Sequence, residues 1–124
     1  MADLISTLSF AASGMETQAR RLQHVSENIA NADTPGYRRK LVNFQQMVDG
    51  VTAGDVTLDQ SDLAQIFDPG NPLADQAGYY SGSNVDLVIE VADAREAQRS
   101  YEANLKVFDQ ARQMTQGLFE LLRR

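Results

Sequence analysis

The sequence predicts a mainly α fold. Two long end helices, about residues 3–31 and 85–122, pack as an antiparallel coiled-coil-like pair, and an irregular, partly extended or β segment separates them. Three observations carry this. Both ends space apolar residues alternately four and three apart, the middle sustains neither a helical nor a strand period, and turn-forming residues crowd that middle.

In the first segment, Leu4, Leu8, Ala11, Met15, Leu22, Val25 and Ile29 form the seam, with Gln18 filling its one gap. This period lets one helix lie along another at a shallow angle. Asp3 or Ser6 is suited to cap the start. Gly14 costs about 1 kcal/mol relative to Ala inside a helix, a cost that close approach of another backbone would explain. Asn31 is placed to end the helix. Thr34 is pushed out of the helical region by Pro35, and Pro35-Gly36 suits the centre of a type II turn. Tyr37 follows at a fixed place, and then Arg38, Arg39 and Lys40. The basic triplet reads as a solvated turn or as partner to an acidic neighbour. The stretch from Tyr37 to Gln45 looks extended, with Val42 and Phe44 on one face.

The last segment continues the alternation through Leu87, Val91, Ala94, Gln98, Tyr101, Leu105, Phe108, Arg112, Thr115, Phe119 and Leu122. Arg112 and Thr115 interrupt it, while Ala111, Met114 and Leu118 lie on an adjacent stripe, so the apolar face broadens toward the end. Asn84 or Asp86 fits an N-cap. Between the helices, residues 51–58 alternate weakly and suit a strand. Residues 61–67 suit a helical turn or a short strand. DPGNPL and QAGYYSGSN are turn chemistry. The resulting organisation is a discontinuous helical domain, 1–32 plus 85–124, around an arm and acidic insert, 33–84.

Charge is segregated. The chain of 124 residues carries −6, yet residues 41–94 contain no Lys or Arg and carry nine acids. An acidic middle argues against nucleic acid as a partner, because phosphate neutralisation needs a basic field. There is no cysteine, so disulfides and thiolate metal sites are excluded. His24 is the sole histidine and lies off the seam, which leaves little material for a catalytic triad. Neither a phosphate-binding glycine loop nor a calcium-loop spacing occurs. The expectation is a non-enzyme with no catalytic residue, metal or cofactor. No apolar run reaches the roughly 18 residues of a membrane span, and the start lacks the pattern of a cleaved signal peptide.

Two motifs add a resemblance. Asn28-Ile29-Ala30-Asn31 followed by Thr34-Pro35-Gly36-Tyr37, and Tyr101-Glu102-Ala103-Asn104 followed by Lys106-Val107, resemble the paired signatures of the bacterial flagellar rod and hook family. The short length and the Tyr37-Arg38-Arg39-Lys40 element resemble its proximal rod members. The resemblance implies a structural subunit that polymerises through its end helices into a periplasm-spanning rod transmitting torque. It implies that other rod proteins, the flagellar type III export apparatus and its rod adaptor are partners, with export needing no cleaved signal. It also implies that the arm after Tyr37 lies between subunits, with Asn28, Asn31, Thr34 to Arg39, Tyr101, Asn104 and Val107 as interface residues. Another short rod subunit of the family, or a soluble helical adaptor or export chaperone, are the alternatives.

Overall fold

The computed structural model describes residues 2–47 and 50–123. Helix α1 spans Ala2–Ala30, strands β1 and β2 span Lys40–Met47 and Gly50–Leu58, β3 and β4 span Gln65–Phe67 and Tyr79–Ser81, and α2 spans Leu87–Arg123. The helices run antiparallel. Asn28 faces Glu90, Arg21 faces Glu96, and Gly14 faces Asn104.

Asp86 caps α2. Its side chain accepts the Val88 amide at 3.0 Å and its carbonyl accepts the Glu90 amide. Asn84, the other candidate cap, is used elsewhere. Helix α1 closes with Asn31, whose backbone and side-chain nitrogens both donate to the Glu27 carbonyl.

The face that α2 turns toward α1 differs from the stripe read in the sequence. Ala94, Tyr101, Phe108 and Thr115 do face inward, partly buried. The positions that complete the stripe are Glu90, Ala97, Asn104 and Ala111, each three residues after a predicted seam position and one before the next. Leu87, Val91 and Leu105, expected in the seam, are exposed, as is Ile29 on α1, where Asn28 is buried instead. The physical reason is size. The small side chains Ala97 and Ala111 and the glycine at 14 let the helix axes approach, and the larger residues rotate to the flanks. On α1, Ala11 and Val25 are buried, and Leu4, Leu8, Met15 and Leu22 are half-buried.

The middle contains two antiparallel hairpins, more regular than expected. In the first, Lys40 pairs with Leu58 and Val42 with Val56. The register then slips so that Gly54 and Asp55 oppose Asn43, and Phe44 pairs with Ala53. This is a bulge on β2. A side chain at Gly54 would come within 2.9 Å of the Asn43 carbonyl, which explains the glycine. The hairpin lies along α1. The Val51 amide donates to Ser13 Oγ, and the Thr17 hydroxyl, itself buried, sits 3.0 Å from the Val51 carbonyl. The second hairpin sets Phe67 against Tyr79, ring centres 5.1 Å apart and planes tilted by 59°, beside Gly78 at φ 89°. SDLAQIF therefore ends in a strand and not in a helical turn.

Candidate functional site

The residues following α1 build the densest polar cluster in the described structure. Its hub is Asn28, buried on the last turn of the helix. Its amide oxygen accepts the Lys40 backbone amide at 2.9 Å and the Tyr37 hydroxyl at 2.8 Å. Its amide nitrogen donates to the Lys40 carbonyl at 3.1 Å and to Glu90 Oε2 at 3.3 Å. One side chain thus ties the end of α1, the start of β1 and the first turn of α2.

Glu90 has no exposed surface. A buried carboxylate needs charge compensation, and Arg39 supplies it from 2.5 Å through Nε. The same guanidinium reaches Asp93 at 3.0 Å and Asp59 at 3.6 Å. Burial pulls the Arg39 pKa down, but Glu90 and the flanking aspartates outweigh it and leave it above its ordinary value. Arg21 extends the network to Asp93 and Glu96 and lies 5.8 Å over the Phe44 ring. Asn84 holds the far side. It accepts the Arg39 amide at 2.7 Å and donates to the Asp59 carbonyl at 2.9 Å.

The other two basic residues are engaged within the chain as well. Arg38 donates to the carbonyls of Asp59 and Ser61, each at 3.0 Å. Lys40 pairs with Glu27 at 2.6 Å. That hydrogen bond holds the Glu27 carboxyl below its ordinary range and raises the Lys40 ammonium. The Ser61 amide and hydroxyl, with Arg39 beyond them, lower Asp59. Burial raises the Tyr37 phenol. Arg39 and Lys40 are thus internal counter-charges for acids on α1, α2 and the insert, while Arg38 holds two carbonyls of the insert.

The Pro35-Gly36 turn has the predicted geometry. Gly36 has φ 75°, and the Tyr37 amide donates to the Thr34 carbonyl at 3.2 Å. Nothing lies within 4 Å of where a Gly36 side chain would sit, so the glycine serves conformation and not space. The Gly36 amide reaches the Ser81 and Gly82 carbonyls, and the Ser83 hydroxyl donates to the Ala32 carbonyl. The turn therefore holds the second hairpin. Asn31 accepts the Thr34 hydroxyl and braces the exit.

Asn28, Asn31 and Thr34 to Arg39 are thus gathered at one end of the helix pair. Within the chain the Tyr37 hydroxyl donates to Asn28, and the arm after it pairs with β2. The second motif is elsewhere. Asn104 lies 14 residues along α2 from Glu90, roughly 20 Å at 1.5 Å per residue. There its side chain fills the space above Gly14, which therefore admits a side chain and not a backbone. Tyr101 is half-buried, and exposed Val107 lines a notch with Phe10 and Val51. Glu90, Asp93, Asp59 and Arg21 are not singled out by pattern, and Asn84 only as a candidate cap. The usable signal was charge segregation. Glu90 stands in the apolar run of Leu87 to Val91, within a stretch that offers no cation of its own.

A model described as flagella basal body rod protein matches residues 8–38, covering most of α1 and the turn. A second, the flagellar basal body rod FlgEFG protein C-terminal model, matches 76–121. The chain is 43% identical to the flagellar basal-body rod protein FlgC of Agrobacterium fabrum, over 99% of this chain and 98% of that one. The chain belongs to the FlgC family of flagellar basal-body rod proteins. FlgC of Salmonella typhimurium is 36% identical over 90% of this chain and 92% of its own. FlgC of Aquifex aeolicus is 32% identical over 97% and 98%. In this FlgC-family chain the rod-model match runs from the seam of α1 through the hub residue Asn28 to Arg38, and the C-terminal match takes in its partner Glu90. None of the described helices is long and apolar enough to cross a membrane.

Proposed function

We propose that this chain is a structural subunit of the flagellar basal-body rod, and that its end helices finish their burial against neighbouring subunits in a periplasm-spanning shaft that transmits torque. The observation that carries the reading is unfinished burial. Among the described residues, the buried hydrophobic side chains are Ala11, Val25, Ala97 and Ala111, none larger than valine. Large apolar residues along both helices stand in solvent. The accessible surface is 8613 Å², against about 6,600 Å² for a compact monomer of this mass. The excess is what a subunit shaped for lateral packing would carry. Rod family membership supports the same reading, as does a site made of structural ion pairs. Export through the flagellar type III apparatus with its rod adaptor follows as part of the proposal.

The test is mass spectrometry of purified basal bodies together with a truncation lacking residues 118–124. The chain is expected in basal bodies, and the truncation is expected to abolish rod assembly and motility. A chain found in the cytoplasm and absent from basal bodies would instead mark a soluble adaptor or export chaperone.

A further inference from the structure

Helix α2 contains one glycine, Gly117, and its surroundings do not ask for one. The residue is exposed, and a side chain there would meet no atom within 4 Å. Gly14 in α1 differs, because the Asn104 side chain lies 2.7 Å from where its Cβ would be. An exposed glycine inside a helix gives up stability that alanine would keep, since its backbone loses the most freedom on becoming helical. A second weakness lies two residues earlier. The Thr115 hydroxyl donates to the Ala111 carbonyl at 2.8 Å, the same carbonyl that accepts the Thr115 amide in the helix. Such back-bonding slightly destabilises helices and often bends them. The support from α1 also ends here. The facing pairs Asn28–Glu90 and Gly14–Asn104 advance equally along both helices, so Ala2, the start of α1, falls opposite Gln116. Residues 118–123 continue as helix beyond that point, with Leu118, Phe119, Leu121 and Leu122 exposed.

Resting on the rod-subunit reading, we propose that residues 115–117 are a hinge, about which the last turns of α2 pivot when the chain enters the rod. Three features coincide within one helical turn: a glycine without a packing reason, a threonine that weakens the ladder, and the end of the neighbouring helix. Bending α2 beyond Thr115 opens no part of the helix pair, whereas a bend near Asn104 would pull it away from Gly14. The packing of α1 on α2 therefore fixes the direction of α2 as far as the hinge and leaves the direction of residues 118–123 free. Gly117 is a positioning residue in this scheme. It acts through the angle it permits and not through a contact of its own.

The native chain has no cysteine, so spin labels at Gln98→Cys and Leu122→Cys, both exposed positions, measure the angle across the hinge in the full-length monomer. In a straight helix these positions lie roughly 36 Å apart at 1.5 Å per residue. The expected distance distribution is broad and reaches shorter values. Adding Gly117→Ala is expected to reduce the bent population about fivefold, the ratio that a glycine-to-alanine change in helix propensity supplies. One narrow distribution in both proteins overturns the hinge. The second arm is assembly. Gly117→Ala is expected to lower incorporation of the chain into basal bodies and to impair motility, even though the isolated helix is more stable. Gln116→Gly/Gly117→Ala, which moves the glycine by one residue, is expected to restore both. Normal assembly of Gly117→Ala overturns the hinge and leaves the rod reading standing. Failure of the double variant to recover overturns it too, because the defect then lies in the added methyl group. Absence of the wild-type chain from basal bodies would remove the rod reading and the hinge's role in assembly with it.

Discussion

The two ends of the helix pair are built on opposite principles. Where α1 stops and α2 starts, nearly every interaction is polar and each partner lies within the chain. Asn28, Arg39, Glu90 and Asn84 tie four segments together, and a carboxylate is fully buried. At the other end, contacts are small and apolar, and the last turns of α2 expose leucines and a phenylalanine. One end is completed by the chain itself. The other is left to be completed by something else. Hydrogen bonds need partners held at fixed angles, so they suit a junction the chain makes once. Apolar area is indifferent to direction, so it suits a surface that meets another molecule.

The comparison breaks most severely at Arg39. Arg39→Ala strands a buried carboxylate, so a loss of about 3–5 kcal/mol is expected by urea denaturation, whereas Arg39→Ala/Glu90→Leu recovers part of it. Equal losses in both variants would mean that the pair matters for shape and not for charge. Further along the seam, a Gly14 side chain would begin 2.7 Å from the Asn104 amide. Gly14→Val is expected to cost about 1–3 kcal/mol, and Asn104→Ala in the same chain should relieve much of it. At the turn, Gly36→Ala places a side chain at φ 75° and is expected to cost about 1–2 kcal/mol, with no clash to relieve.

Acid should loosen the polar end alone. Glu27 and Asp59 have folded pKa values below their ordinary 4.5 and 3.8. Their contribution is complete above those values and is lost as pH falls through the lowered ones. Lys40 is raised above 10.5, so its share is complete below that pH and lost as pH rises past the folded value. Glu27→Gln should flatten the acid limb of a stability–pH profile, and an unchanged limb would remove the Lys40 pair as its cause. The smallest effect on stability belongs to the open end. Leu121→Ser/Leu122→Ser is expected within about 0.5 kcal/mol of wild type as a dilute monomer, while motility is lost. A large loss of monomer stability would show that these turns are already buried in the isolated chain.

Much of this contrast can be read in the sequence. Helix lengths, the Pro35-Gly36 turn, the strand after it and the acidic insert all follow from local rules, because each depends on residues close in the chain. Turn chemistry at Thr34 to Tyr37 is set by φ preferences that no distant contact overrides. Residues 51–58 alternate well enough to mark β2.

Which face of each helix turns inward was decided in three dimensions. Period alone marks a stripe, and α2 offers two that share Ala94, Tyr101 and Phe108. One is completed by Val91 and Leu105, the other by Glu90, Ala97 and Asn104. Hydropathy favours the first. Packing selects the second, because small residues let the axes approach and because Arg39, arriving from a turn about 50 residues earlier, neutralises Glu90. A single helix cannot reveal a counter-charge that only folding brings within 2.5 Å. The larger side chains are thereby turned outward, and the sequence determined that they exist while the tertiary structure decided that they remain uncovered.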